Sequence, residues 1–254
     1  MKLLPLFLLL LGVVQNAQAA AAPADANFAT QVAANQHQIA IETDGSLSGP
    51  GAELISRDIG KAQFFMVGEQ HATAGIAKVN LGLHRLAAKQ GYHHAALEIG
   101  PDSTREVERL VRSGQGRLAA FIREPGNDFV LPFLGWAEET ALVEQIVDLS
   151  RARSPVLWGI DQEFVGSANL HLAHLGRLAR SPEQRTLLAE LGAKAKADPL
   201  LIGMLDLVSY DRLRRAFPGA AYPGAARLID DLAASTAIYA PFRRQGRLAA
   251  GGER

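Results

Sequence analysis

Apolar and polar positions follow three rhythms along this chain. After Lys2, an apolar run from Leu3 to Val14 leads into Ala17-Gln18-Ala19, the small-x-small spacing that a signal peptidase accepts. The run is too short to cross about 30 Å of hydrocarbon as a retained helix, which needs about 20 residues. Cleavage after Ala19, or one residue later, is therefore expected, giving a periplasmic or secreted protein without stable membrane insertion. Residues 20–36 are rich in Ala, Asn, Gln and Asp, show no sustained period, and read as a flexible leader.

The second rhythm is that of buried strands alternating with helices. Ile39-Ala40-Ile41 ends at the turn pair Asp44-Gly45, and a short helix is expected over 52–58. Gln63-Phe-Phe-Met-Val67, His94-Ala-Ala-Leu-Glu98 and Pro155-Val-Leu-Trp-Gly-Ile160 are short apolar runs, the pattern of strands covered on both faces. Between the first two, Ile76, Val79, Leu83 and Leu86 fall at helical spacing over 74–90, and Gly91 stops the pattern. Ser103-Thr-Arg-Glu106 has the spacing of a capping box, which predicts a helix from Thr104 to about Ser113. A longer helix is expected over 136–152. Strand, helix, strand, helix, strand predicts an α/β fold with a parallel-rich sheet and flanking helices.

The third rhythm is purely helical. Beyond Glu163 no strand pattern appears, and helices are expected over 168–180, 182–196, 199–216 and 225–239. Ser181-Pro-Glu-Gln184 supplies both a first-turn proline and a capping box. The chain thus divides into a signal peptide (1–19), a leader (20–36), an α/β core (37–165) and a helical lid or insertion (166–254). Three or four strands are few for so many apolar helix faces, so the domain is expected to be incomplete at Arg254.

Composition narrows the chemistry. With 254 residues, 26 basic and 26 acidic side chains and no cysteine, the chain lacks the basic excess of a nucleic-acid binder. It also cannot build a disulfide, a thiolate metal site or a thiol nucleophile. Ligands of parallel sheets sit at the carboxyl ends of strands. There, Gly68-Glu69-Gln70-His71 follows the first apolar run, Glu98 closes the second and Asp161 the third, with Glu163 two residues on. Glu69 and His71 are two apart and share a side in extended chain. Arg105 and Arg109 share a helix face and could hold an anionic substrate or simply be solvated, and His84 flanks the site or packs. His171 and His174 lie three apart on one helical face and could bind metal or haem, but, set among Leu170, Leu172 and Leu175, they read first as helix-surface or interface histidines. Gly-x-Ser-x-Gly, His-Glu-x-x-His, a phosphate-binding glycine loop and a dinucleotide fingerprint are all missing from the sequence.

Phe-Met-Val-Gly-Glu69-Gln-His71, Ala-Leu-Glu98 and Trp-Gly-Ile-Asp161-Gln162 together resemble the erythromycin esterase-like proteins. The wider superfamily includes ChaN-type haem-binding lipoproteins and Tiki/TraB-type proteins. The resemblance covers about residues 50 to 165. It implies that His71 is the general base for water, that Glu69 and Glu98 orient it or bind substrate, and that Asp161 supports the site; Arg105, Glu163 and His84 are the candidate substrate-binding residues. Only one residue separates Glu69 from His71, closer to the haem-binding and Tiki branches, and no Trp-Ala-His-Asn-type segment follows Phe164. The leading expectation is a secreted hydrolase acting on an ester-type small molecule, with no cofactor required. In one variant a divalent metal sits among Glu69, His71, Glu98 and Asp161. The alternative is an exported haem- or metal-binding protein without esterase activity.

Overall fold

The computed structural model describes residues 26–68, 70, 73–127, 129–197 and 205–251. The expected signal peptide lies outside them. Two compact units divide the chain, Met1–Gln38 and Ile39–Arg254. In the first, Ala26–Ala34 forms helix α1 where the sequence pattern predicts an irregular leader. Its alanines carry enough intrinsic helix propensity for a short helix without an apolar stripe, and Phe28 and Val32 stay exposed.

In the second unit β1 (Ala40–Ile41) and β2 (Leu47–Ser48) form a small antiparallel ladder around the Asp44-Gly45 turn. Gly45 supplies the positive φ of 78° and Asp44 Oδ1 accepts from Ser46 N at 2.8 Å. Helices α2 (Pro50–Ile59) and α3 (Ala74–Lys89) follow, then β3 (Ala95–Leu97), α4 (Pro101–Ser113), α5 (Arg117–Ile122), α6 (Ala137–Leu149) and β4 (Leu157–Gly159). The remainder is helical: α7 (Ala168–Leu178), α8 (Pro182–Lys196), α9 (Leu207–Ala216) and α10 (Pro223–Gly251).

β3 and β4 pair in parallel, with Ala95 opposite Leu157 and Leu97 opposite Gly159. This is a mixed α/β architecture, mainly helical. Among the described residues the sheets are two pairs, so the parallel-rich sheet reduces to one parallel pair. The apolar run 63–67 is not a strand, and Phe64, Met66 and Val67 are 78%, 90% and 46% exposed. Strand preference is a preference for a pleated, half-buried surface; with no ladder beside it the run stays irregular. Only Phe65 packs, against Leu47, Ala52 and Leu83.

Beside this small cluster, two larger apolar clusters form among the described residues. One gathers Val107, Val111, Leu118, Val143, Val147, Val156 and Leu157 from the α4–α6 region and β4. The other gathers Leu175, Leu191, Tyr210, Leu213, Phe217 and Ile229 from α7 to α10. The second-half helices therefore bury their leucines against one another rather than against a sheet. Helix α7 faces both, since Leu170 belongs to the first cluster while Ala168, Leu172 and Leu175 belong to the second.

Helix α4 begins three residues earlier than the Ser103 capping box predicts, with Pro101 at its start and Gly100 as a cap without a side chain. That start lies directly on β4. A Cβ on Gly159 would come within 2.5 Å of Thr104 Oγ1 and nearer still to the Gly100 carbonyl, so only glycine permits the approach. By contrast, the Ser181 box on α8 forms fully, with Gln184 N donating to Ser181 Oγ at 3.2 Å. Among the described residues no helix is long and apolar enough to cross a membrane.

Candidate functional site

The parallel pair carries its ladder to the predicted carboxylates. Ile160 N donates to Leu97 O at 3.1 Å and Asp161 N to Ile99 O at 3.3 Å, so Glu98 and Asp161 emerge at the same end of the pair. Both are exposed. Continuing the register puts Asp161 opposite Ile99, and Glu98 one ladder step earlier, opposite Ile160. Glu69 and His71 lie outside the described residues. His84 sits half-buried in α3, near enough to His93 for their charges to oppose; burial first, and His93 second, lower its pKa. His93 precedes β3, so His84 belongs to the amino end of that strand and not to its carboxyl end. Glu163 is almost wholly buried at 2% exposure, and Arg105 is exposed on α4.

Glu163 opens onto a polar cluster that sequence reasoning largely missed. Its carboxylate accepts from Asp102 N and, at 3.3 Å, from Ser103 N, satisfying the free amides at the start of α4. The helix dipole favours a negative charge there. The same carboxylate accepts from Ser103 Oγ at 2.7 Å and lies 3.1 Å from His171 Nε2. On its other side His171 Nδ1 is 3.2 Å from Asp102 Oδ2, which also meets His174 Nδ1 at 2.9 Å. Glu106, one turn further along α4, is 3.6 Å from His174 Nδ1 and accepts from Arg109 Nε at 2.9 Å and from Arg177. Arg105 closes the upper end with an ion pair to Asp102 at 2.7 Å.

Two helical stripes thus meet side to side: Asp102, Glu106 and Arg109 on α4, and His171, His174 and Arg177 on α7. Burial alone would make the His171 cation unfavourable. The hydrogen bonds its ring donates to Asp102 and Glu163, with the charges of those carboxylates, outweigh it and push its pKa up to about 9. Burial would likewise raise Asp102 and Glu163, yet their hydrogen bonds to His171, joined by those of His174 or Ser103, hold both below the usual carboxylate range. His171 is therefore an imidazolium clamped between two carboxylates at neutral pH.

Ser103, His171 and Asp102 have the connectivity of a nucleophilic triad, with Ser103 Oγ 3.3 Å from His171 Nε2. They lack its chemistry. Ser103 and His171 are both fully buried, the serine proton is directed at Glu163, and an imidazolium cannot take it. The cluster is a clasp between α4 and α7. Glu108, on the same helix, plays a separate bracing role: it pairs with Arg112 at 2.8 Å and accepts from Val156 N and Leu157 N at 2.8 and 3.0 Å, tying β4 to α4.

The signal for the clasp was present as two spaced triplets, Asp102-x3-Glu106-x2-Arg109 and His171-x2-His174-x2-Arg177. Of the two readings of these histidines, surface or interface, the structure has the interface: His171 is buried because α7 is covered on two sides. Among the described residues no three His, Asp or Glu side chains converge as a metal site. No family model, no curated protein and no solved structure matches this chain.

Proposed function

We propose that the chain is an exported hydrolase of the erythromycin esterase-like type, in which His71 deprotonates water and Glu69 and Glu98 orient it or hold an ester-type substrate. The observation that carries this reading is the parallel pair β3–β4, whose hydrogen bonds run on to Asp161 and leave Glu98 and Asp161 exposed at one end. This is the edge at which parallel sheets bind ligands. The buried Glu163 anchors α4 against that edge, so in this reading it positions the site and does not touch substrate. A general base of this kind contributes about 10²–10⁴ in rate.

The reading carries with it the fuller parallel sheet of the sequence pattern. Trp158 and Ile160 are 53% and 72% exposed beside the pair, an apolar surface of the kind that further layers cover. The test is hydrolysis of a panel of simple aryl esters and lactones by the purified chain, with His71→Ala and Glu98→Gln alongside. Turnover lost by about 10²-fold or more in His71→Ala, with unchanged thermal unfolding, supports the proposal. Turnover equal in wild type and His71→Ala refutes it. A Soret band on haem addition with no turnover would point instead to the haem-binding alternative.

A further inference from the structure

The lower end of the clasp holds more positive charge than its buried acids neutralise. Glu106, with its side chain 5% exposed, receives Arg109 Nε and Arg177 on one and the same oxygen, Oε2. One carboxylate thus draws together two guanidinium groups, from different helices, that would otherwise repel. Arg109 meets it through Nε and Arg177 through Nη2. Among the described residues neither Arg109 nor Arg177 has another hydrogen-bond or ion-pair partner, and their side chains are 43% and 39% exposed. His174 stands beside them, its Nδ1 taken by Asp102 and Glu106 and its Nε2 without a described partner.

Further up, the balance is different. Arg105 is paired to Asp102, and Asp231 of α10 lies within electrostatic reach of it. The unbalanced charge therefore belongs to Arg109 and Arg177. Guanidinium groups present their N–H donors in a planar fork, and two forks held side by side match the oxygens of a tetrahedral anion. Anchoring by Glu106 removes much of the rotamer freedom that surface arginines would lose on binding.

The geometry points to an oxyanion-binding site formed by Arg109 and Arg177 over Glu106, with His174 at its margin, selective for a phosphoryl group, either free phosphate or an organic phosphate monoester. It does not rest on the hydrolase reading: none of these residues is assigned to water activation, and its readout is binding.

The test is calorimetric titration of the full chain at low ionic strength with inorganic phosphate, phenyl phosphate and, for comparison, chloride. Variants are Arg109→Gln, Arg177→Gln, Arg177→Lys and, as a distant control, Arg215→Gln. The expected result is saturable phosphate binding that Arg109→Gln and Arg177→Gln each weaken about tenfold or more, that Arg177→Lys also weakens because the fork is lost, and that Arg215→Gln leaves unchanged. Tighter binding of phenyl phosphate than of phosphate assigns the site to a monoester, and the reverse to the free ion. Thermal unfolding of each variant shows that the fold is retained, and Arg177→Lys keeps the charge if Arg177→Gln does not fold. Phosphate binding no tighter than chloride, an equal loss in Arg215→Gln, or full affinity in both glutamine variants overturns the proposal.

Discussion

Replacing His171 by glutamine tests the clasp most directly, because the imidazolium is its only fully buried positive charge. Raising the pKa from the ordinary 6.5 to about 9 corresponds to about 3 kcal/mol of preferential stabilisation of the protonated form in the folded state. The lowered pKa values of Asp102 and Glu163 report the same contacts from the other side and are not added to it. The signs define a window. The His171 contribution is complete below about pH 6.5 and is lost as pH rises through about 9. The carboxylate contribution is complete above their ordinary 3.8 and 4.5 and is lost as pH falls toward their lower folded values. The clasp is thus strongest between about pH 4.5 and 6.5. Glutamine fills similar space but leaves two buried carboxylates without their shared cation, a change that costs about 3–5 kcal/mol where both are ionised. That is a large part of the about 5–15 kcal/mol by which domains are stable. Urea unfolding of wild type and His171→Gln at pH 6.0, 7.5 and 9.5 measures it. The stability difference between the two proteins should shrink by about 3 kcal/mol from pH 6.0 to 9.5. A difference that stays constant over this range would show that His171 is neutral in the fold and sink the argument.

Two further predictions follow from close contacts. Gly159→Ala should destabilise by about 3 kcal/mol, because its Cβ meets backbone at Gly100 that cannot yield, whereas Gly176→Ala on α7, with nothing within 4 Å, should stabilise by about 0.5–1 kcal/mol; thermal unfolding of the pair checks both. Glu108→Ala should cost about 3 kcal/mol, since it strands two amides of the β4 edge and takes the carboxylate from Arg112 Nε, whose guanidinium keeps only the Arg151 and Arg153 carbonyls; hydrogen exchange at Val156 and Leu157 should accelerate, and unchanged protection there would contradict the bracing role.

What the sequence determined by itself is local. Apart from the third, expected over 199–216 but beginning only at Leu207 behind an Asp206 cap, the helices of the second half were readable, as were the Ser181 cap and the parallel relation of the 94–98 and 155–160 runs, because apolar spacing and capping residues act within one or two turns. The carboxylates Glu98 and Asp161 came with those strands. What only the tertiary structure decided are features that require two distant segments to meet. The run at 63–67 has strand composition but finds no ladder, so burial, which pattern can only assume, decides against it. Ser103 looks like a cap, yet Glu163, some 60 residues away, supplies the acceptor and moves the start of α4 back to Pro101. His171 looks like one histidine in a leucine-rich helix; it becomes an imidazolium because Asp102 and Glu163 arrive from two other parts of the chain and outweigh its burial. Spacing within a helix can show which residues share a face, but the charge a buried group carries is set by what faces it across the gap.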